Sequence, residues 1–330
     1  MIKISIHEPL PHSAVSYYRS IGTFSYLPKK NDKIQISIPG QISWNNLIGT
    51  DIFYMERPQQ DNDLQALQLA KDFNIKVWVD YDDCLHEIPQ YNPAYKFYKK
   101  TSVLKNIEKA MTMADIITVS TPTLKEYYKK YNENIYVIEN AHNDYQYKFK
   151  KKDETFQSIN WRGSATHRSD LLSVSENIFN LAKKYKNWAW TFVGNDLWYI
   201  TEKIKCFNIQ ECDIIDYYKF IKDLKSAIQI VPLVHNQFNQ CKSNIGWIEG
   251  TYAGSTCICP TLPEFEKPGI VNYNFEKENS FGYYLEKTIS NNSFRKKKYI
   301  ESYNYIKENL LLSKINSKRL EIIERLLDNA

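Results

Sequence analysis

The sequence predicts an α/β protein made of two doubly wound, Rossmann-like domains that face each other across a cleft. Three observations support this fold class. The chain has 330 residues, long enough for two domains that each bury a core. Short apolar strands alternate with helical patterns through most of it. The alternation lapses once, across the polar, lysine-rich stretch from 140 to 156, and then restarts.

The first half contains segments with the short, apolar pattern of strands in a parallel sheet. They are Ile2–Ile6, Ile34–Ile38, Asp51–Met55, Ile75–Asp80, Asp115–Val119 and Ile135–Ile138. Between them, apolar residues at helical spacing mark two helix faces, one running from Leu64 to Phe73 and one from Val103 to Ala114. These elements predict a first domain over residues 1–150.

The second half repeats the alternation after the lysine-rich linker. Its predicted strands are Ser158–Trp161, Trp188–Val193, Ile228–Leu233, Thr256–Cys259 and Ile270–Tyr273. The end of the chain predicts a helix with Leu320, Ile323 and Leu327 on one stripe. We therefore expect a second domain over residues 151–330. In such sheets ligands bind at the carboxyl ends of the strands, where the two domains would face each other.

The composition is that of an ordinary globular protein and argues against disorder, because 43% of the residues are apolar and 25% are charged. The net charge of +5 is too small to indicate a nucleic-acid-binding protein by itself. Two basic clusters, Lys148–Lys152 and Arg295–Lys298, are interpreted as solvated surface.

The cysteines and the apolar runs exclude further classes. No two of the six cysteines have the C-x-x-C spacing and no histidine cluster accompanies them, so we expect no metal site. No run of about 18 apolar residues exists, so no membrane span is predicted. The segment that begins at Met1 lacks the apolar stretch of a signal peptide. These features predict a cytoplasmic protein.

The turn after the strand Ser158–Trp161 has the composition of a phosphate site. Arg162, Gly163, Ser164 and His167 fall in this glycine turn, just ahead of a helix. Free backbone N–H groups and the helix dipole attract an anion there, and an arginine can clamp it. The alternative is a capped turn between strand and helix with exposed arginines.

A second segment with similar chemistry precedes the strand Thr256–Cys259. Ser243 or Asn244 can cap a helix whose first N–H groups point towards an anion, and Lys242 adds a positive charge. Glu249 follows in the same helix, at a reach suited to ribose hydroxyls.

A third strand ends in Gly194-Asn195, where glycine permits close approach of a ligand to the backbone or simply makes a turn. Neither a G-x-G-x-x-G motif nor a Walker lysine loop is present, which argues against a dinucleotide site or an ATPase.

The first half contributes candidate residues for the other wall of the cleft. Asp82 and Asp83 follow a buried strand, with His86 close behind, and carboxylates at such a strand end can position or deprotonate a hydroxyl. The alternative is that they cap the next helix or pair with lysines. His12 and Arg19, in and after the first strand-to-helix loop, are candidates to approach the same ligand from the other side.

In this order the motifs resemble the donor domain of GT-B glycosyltransferases, in particular the large retaining family that includes bacterial and phage enzymes. The matching residues are Arg162-Gly163-Ser164, His167, Asp170-Leu171, Val193-Gly194, Pro232-Leu233, Phe238-Asn239, Lys242-Ser243-Asn244, Glu249 and Ala253-Gly254. In the first half, Pro11–Arg19, Glu56–Pro58 and Asp80–Pro89 are similar to segments of the same group. The resemblance covers roughly residues 1–290.

The resemblance implies a nucleotide-sugar donor, UDP- or GDP-linked, bound by the second domain and a hydroxyl acceptor bound by the first. It implies transfer with retention and no metal cofactor, and a terminal helix that crosses back to the first domain. Asp82, Asp83 and His167 are then the candidate catalytic residues. The phage-like segments add a hydroxymethylated pyrimidine in DNA to the possible acceptors, beside a glycan.

One position departs from the family pattern. The family carries two glutamates eight positions apart, and Cys241 stands where the first would be, with Glu249 at the second. Two alternatives therefore stay open: a GT-B-like protein that binds nucleotide without catalysis, and a nucleotide-sugar epimerase. The sequence does not fix the oligomeric state.

Overall fold

Two six-stranded parallel sheets form the framework of the protein in a computed structural model. The structure describes residues 1–8, 10–40, 43–153 and 156–328. The first sheet has the order β2-β1-β3-β4-β5-β6. Its strands are β1 Ile2–His7, β2 Ile34–Ser37, β3 Ile52–Glu56, β4 Lys76–Tyr81, β5 Ile116–Val119 and β6 Ile135–Val137.

The second sheet has the order β12-β11-β10-β7-β8-β9, which again places the first strand of the unit inside the sheet. Its strands are β7 Phe156–Arg162, β8 Ala189–Val193, β9 Phe207–Ile209, β10 Ser226–Ile230, β11 Thr256–Pro260 and β12 Val271–Tyr273. The sequence patterns did not predict β9, because this edge strand has three residues and exposes Phe207 and Asn208.

Helices cover both faces of each sheet. Those of the first half are α1 Ala14–Arg19, α2 Ile21–Phe24, α3 Trp44–Leu47, α4 Asp61–Asp72, α5 Tyr95–Tyr98, α6 Thr101–Met113 and α7 Pro122–Tyr128. Those of the second half are α8 Arg168–Leu172, α9 Ser175–Lys184, α10 Trp198–Thr201, α11 Ile214–Leu224, α12 Gln237–Gln240, α13 Ile245–Ala253, α14 Ser280–Ser290, α15 Asn292–Asn309 and α16 Leu312–Asp328. Within the described residues no helix is long and apolar enough to cross a membrane.

Alternating residues of the first sheet enter two different cores, as the two-residue period of a strand requires. Phe53 and Val77 pack under α4 and α6. Ile4 and Tyr54, on the opposite face, pack against the apolar stripe of α16. The terminal helix therefore crosses back to the first sheet, as the resemblance implied.

The return of α16 is fixed by hydrogen bonds as well as by apolar packing. The backbone of His142, in the segment between the sheets, exchanges hydrogen bonds with Leu310 and Leu312 at 2.9 and 2.8 Å. The side-chain amide of Asn316 donates to the carbonyl of Thr23 at 3.1 Å. The strands of the two sheets lie on either side of residue 150, where we predicted the domain boundary. The boundary itself stays a prediction, because α16 belongs to the second half in sequence but packs on the first.

Candidate functional site

A cavity of about 320 Å³ lies between the two sheets, where the carboxyl ends of the strands face each other. The end of β7, the end of β8 and the segment after β10 supply one wall, and the segment after β4 supplies part of the other. The predicted site residues that line it are Asp82, Asp83, Arg162, Gly163, Ser164, His167, Lys242, Ser243 and Glu249.

The glycine turn after β7 is shaped by the Trp161 indole. A Cβ atom on Gly163 would lie 2.6 Å from that ring, so only glycine fits without moving the tryptophan. The Gly163 N–H donates to the carbonyl of Val193 at 3.1 Å. Gly194 lies directly behind the turn, since a Cβ there would meet the Gly163 carbonyl oxygen at 2.3 Å. Gly194 therefore supports the turn and does not line the cavity.

Arg162 is held over the cavity by a buried carboxylate. Its Nη1 lies 3.4 Å from Oε2 of Glu249, whose side chain is 1% exposed. The Arg162 guanidinium also stacks on the Tyr217 ring at 4.6 Å. Burial lowers the pKa of Arg162, but the negative charge of Glu249 raises it, and the net pKa is above the usual value. Arg162 thus presents a permanent positive charge in a fixed position.

Glu249 is also tied to the first domain. The Tyr18 hydroxyl, on α1, donates to Oε1 of Glu249 at 2.6 Å, so both carboxylate oxygens have partners. The Tyr18 hydroxyl lies 3.0 Å from that of Tyr218. Burial, and next the Glu249 charge, raise the pKa of Tyr18 well above its usual value, so the phenol stays a donor.

His167 is oriented by Asp170. Its Nδ1 lies 2.9 Å from Oδ2 of this buried aspartate, whose other oxygen accepts from the Val234 backbone and from the Asn239 amide at 2.8 and 3.1 Å. A carboxylate on Nδ1 favours the tautomer protonated there, which leaves Nε2 to accept or take up a proton. His167 lines the cavity, and its side chain is 30% exposed.

A compact cluster of charges joins the opposite wall to Lys242 of the second half. The Arg57 guanidinium pairs with both Asp82 and Asp83, and the Lys242 ammonium lies 3.0 Å from Asp83. Burial opposes ionisation of Asp83, but Lys242 and Arg57 hold its pKa below the usual range. Burial, with Asp83 close by, raises the pKa of Asp82. The pair thus contains one firmly ionised carboxylate and one of greater basicity.

The start of α13 contributes backbone to the same cavity. Its first residues, Ile245 and Gly246, line it, and the first N–H groups of a helix have no partner inside the helix. Ser243, just before it, accepts a hydrogen bond from the Asn140 amide at 2.9 Å. Asn244 is buried, and its amide donates to the Glu264 carbonyl at 3.1 Å, so it braces the helix start from behind.

Arg19 is placed differently from the prediction. Its side chain is 1% exposed and pairs with Asp80 at 2.7 Å. The same guanidinium donates to the Ile138 carbonyl and to Asn140. The assignment of Arg19 to the ligand is therefore corrected: its charge holds β4 and the inter-sheet segment together beneath the cavity.

Three further predicted residues lie outside the cavity. His86 packs among aromatic rings, with Tyr131 stacked on it at 5.7 Å, and its Nε2 faces Glu108 at 3.5 Å. His12 lines a separate cavity of about 340 Å³ beside α1 and α11. Asn195 hydrogen-bonds Glu211, which itself lines the main cavity. Their side chains are not brought to the central charges.

Cys241 does not line the cavity either. It is fully buried in the core of the first half, beside Cys84, and the contact of the two thiols raises the pKa of Cys84. The Cys241 carbonyl accepts from the Thr121 hydroxyl at 3.0 Å. The cysteine thus packs α12 against the first domain instead of facing a ligand.

Sequence reasoning missed two residues of the site, Arg57 and Tyr18. Arg57 has a left-handed φ of 47°, which turns its side chain back onto the aspartates that follow β4. The signal for Arg57 was its position directly after a buried strand, in the segment similar to the GT-B group. Tyr18 lies in the segment Pro11–Arg19, which is similar to the same group, but nothing in the sequence distinguishes it from the other tyrosines. Within the described residues, no group of three or more His, Cys, Asp or Glu side chains is placed to hold a metal ion.

Known structures share this architecture. No protein-family model and no curated protein matches the sequence. A glycosyltransferase from Rickettsia africae ESF-5 gives a TM-score of 0.65 at 16% identity, over 100% of this chain and 99% of that chain. A sucrose-phosphate synthase from Thermosynechococcus elongatus gives 0.63 at 10% identity, over 100% of both chains. The trehalose-6-phosphate structure from E. coli bound with UDP-2-fluoro glucose gives 0.59 at 11% identity, over 94% and 84%.

This similarity establishes the fold. The two parallel sheets, the cleft between them and the returning terminal helix are the GT-B arrangement, so the predicted fold class is confirmed.

Proposed function

We propose that this protein transfers a sugar from a nucleotide-sugar to a hydroxyl acceptor in the cavity between the two sheets. One observation carries the proposal. Two cationic side chains and a helix start line the second-half wall, and a pair of carboxylates lies opposite them in the same cavity. The similarity to a structure bound with UDP-2-fluoro glucose supports a nucleotide-sugar as the donor.

The donor diphosphate is proposed to bind between Arg162, Lys242 and the start of α13. Both side chains are already neutralised, Arg162 by Glu249 and Lys242 by Asp83. An arriving diphosphate would therefore compete with Asp83 for Lys242, in an ion pair that joins the two halves of the molecule. Two positive charges and free backbone N–H groups would then stabilise the leaving diphosphate.

Glu249 is proposed to accept a hydrogen bond from a donor ribose hydroxyl, as the resemblance implies. Its buried carboxylate also pairs with Arg162 and so fixes the position of that side chain. Gly163 and Ser164 would bring the turn backbone close to the same donor.

The acceptor hydroxyl is proposed to bind near Asp82 and His167. Asp82 is the more basic of the two aspartates, and His167 presents an imidazole nitrogen whose tautomer Asp170 favours. Either can orient the hydroxyl, and the leaving diphosphate would take the proton on the same face, giving retention. Asp83 would then remain paired with Arg57, and it would hold Lys242 only until the donor diphosphate binds. We propose that no metal ion takes part.

Two acceptor classes are proposed, a glycan and a hydroxymethylated pyrimidine in DNA. They differ in their salt dependence, because binding of a DNA acceptor releases counterions and weakens steeply as salt rises. A neutral glycan acceptor would bind almost independently of salt. Acceptor KM measured at two salt concentrations therefore separates the two classes.

The donor assignment is tested by binding and by product analysis. A thermal-shift panel of UDP-, GDP-, ADP- and CMP-sugars should raise the melting temperature with one nucleotide family, since a ligand of the native state stabilises it. The shift should shrink in Lys242→Ala and persist in Lys277→Ala, which changes a lysine that does not line the cavity. No shift with any donor would contradict the proposal.

Product analysis then separates the reaction classes. An unchanged anomeric configuration in the product supports retention, and unchanged turnover in EDTA supports metal independence. Binding without any product would favour a non-catalytic nucleotide-binding protein. Conversion of the nucleotide-sugar to its epimer without an acceptor would favour an epimerase.

A further inference from the structure

A second large cavity, of about 640 Å³, lies at the amino ends of β8 and β9, away from the proposed active site at the carboxyl ends of the strands. It is formed by the end of α9, the start of β8 and residues 203–207, which lead into β9. The strand β8 runs from this cavity to the proposed active site, where Val193 lies, so the two are separated by roughly 13 Å of strand. We call it the lysine cavity.

Four lysines line this cavity: Lys183, Lys186, Lys203 and Lys205. Among the described residues that line it there is no aspartate or glutamate, and none of the four lysines forms an ion pair within the described part of the chain. Lys184, by contrast, is paired with a glutamate on α14. Four unpaired charges around one concave surface produce a positive potential that attracts an anion.

Helix stabilisation explains only part of this arrangement. Lys183 lies in the last turn of α9, where a positive charge favours the helix dipole. Lys203 follows the end of the four-residue helix α10, but Lys205 lies beyond that end, and Lys186 lies beyond the end of α9. Their convergence on the same cavity points to a ligand.

Trp190 forms a buried aromatic wall of the lysine cavity. This residue lines the cavity, is 2% exposed and belongs to the apolar core of the second half. Its indole Nε1 is enclosed in that core, so the contribution of Trp190 to the cavity is its apolar surface.

The remaining surface of the cavity is apolar and aromatic. Trp188, Ile204 and Phe207 contribute to it, and Phe207 is 64% exposed. An exposed aromatic ring beside lysines is the combination that binds nucleotides, because bases stack on aromatic rings while lysines contact the phosphates.

We propose that the lysine cavity binds a nucleotide unit, with its phosphate among the four lysines and its base against Phe207. The unit belongs either to a free nucleotide or to single-stranded nucleic acid, which share this chemistry. The site is separate from the sugar-transfer cavity, and the proposal does not depend on that reaction. A nucleic-acid chain held here would be an allosteric or anchoring ligand at the amino ends of the strands.

Two probes distinguish the sources: adenosine 5′-monophosphate and a fluorescent single-stranded oligothymidine of about 12 nucleotides. For the oligonucleotide, the slope of log affinity against log salt should lie between about −0.7, if one phosphate sits among the four lysines, and about −3, if each lysine contacts a different phosphate of the strand. The double variant Lys203→Glu/Lys205→Glu should bind at least about tenfold more weakly and show a shallower slope. Lys277→Ala, which changes a lysine that lines neither cavity, should bind the oligonucleotide like the wild type.

Two further variants test the site against simpler explanations. Lys296→Glu/Lys297→Glu makes the same charge change in the basic cluster on α15, and should leave binding largely intact if the attraction is local. Phe207→Ala removes the exposed aromatic ring and leaves the four lysines in place. It should weaken binding several-fold, because the base loses its stacking partner, while the melting temperature shows whether the fold is intact.

Each outcome decides the proposal. Loss of binding in the Lys203/Lys205 variant supports it, with the responding probe identifying a free nucleotide or a single strand. Failure of the wild type to bind either probe overturns it, as does an equal loss in both charge-reversal variants. Binding to vesicles of anionic lipid with no response to either nucleotide probe would also overturn it, in favour of a membrane surface.

Discussion

The hydroxyl of Tyr18 donates a 2.6 Å hydrogen bond to Glu249, and this contact joins the two halves of the protein at the floor of the cavity. Tyr18 lies on α1, in the first half, and Glu249 on α13, in the second. Both side chains are buried, and Glu249 in turn holds Arg162. The proposed donor-binding arginine is therefore positioned through a residue of the other domain.

Tyr18→Phe tests this coupling. The variant leaves a buried carboxylate with Arg162 as its remaining partner, and loss of a hydrogen bond to a buried charge costs about 1–3 kcal/mol. We expect the free energy of unfolding in urea to fall by this amount and nucleotide-sugar affinity to weaken with it. Tyr283→Phe, at an exposed tyrosine, is the matched control. Unchanged stability and affinity in Tyr18→Phe would contradict the coupling.

Arg57→Asn should separate acceptor chemistry from donor binding. Asparagine tolerates the left-handed backbone of position 57, so the main consequence is loss of the ion pairs with Asp82 and Asp83. We expect kcat to fall by about 10- to 100-fold, because the carboxylates are no longer held, with donor affinity nearly unchanged. Steady-state kinetics together with donor titration measure both quantities. A parallel loss of donor affinity would place Arg57 in the donor site instead.

The hydrophobic pattern predicted the strands of the two sheets well. Buried strands are made of apolar residues, and the spacing of apolar residues along the chain distinguishes strands from helices. The strands ending at Val193 and Tyr273 end as predicted. The strand predicted over Ile228–Leu233 is shifted, because Ser226 is buried in the ladder beside Ser158. A buried serine gives no apolar signal.

Site residues could be predicted where a residue suited to binding an anion lies at a strand or helix end that the hydrophobic pattern locates. Gly163 and Lys242 lie at strand or helix ends that the pattern located, and both line the cavity. Arg19 also lies close to the loop after a predicted strand, so its sequence neighbourhood does not distinguish it from a ligand-binding arginine. Its partner Asp80 is 61 residues away in sequence, and only the three-dimensional packing shows that the two are paired.

Gly163→Ala should distort the glycine turn. The added methyl group would lie 2.6 Å from the Trp161 ring, and overpacking of this kind costs about 1–3 kcal/mol. We expect a lower melting temperature and loss of the donor-induced thermal shift. Gly40→Ala is the control, since a Cβ there meets nothing within 4 Å. Equal behaviour of the two variants would show that the turn does not need its glycine.

His142 should make stability depend on pH. Burial lowers the pKa of this histidine from 6.5 to about 4, although the Tyr147 carbonyl and Asp144 act in the opposite direction. Below pH 6.5 His142 is protonated in the unfolded chain but stays neutral in the folded chain. The free energy of unfolding therefore falls as pH decreases towards about 4. A difference of this size corresponds to about 3 kcal/mol at most.

The contribution of His142 is isolated by comparison with His142→Asn, since carboxylates titrate in the same range. Urea unfolding at about pH 7.5 and about pH 4.5 should show the larger pH-dependent loss in the wild type. The variant is expected to be less stable at the higher pH, because His142 packs against Phe149 and Tyr252. The decisive quantity is therefore the difference between the two pH values within each protein. If that difference is the same in both, His142 takes up its proton at the same pH in the folded and unfolded chains, and the segment between the sheets is more open to water than its burial indicates.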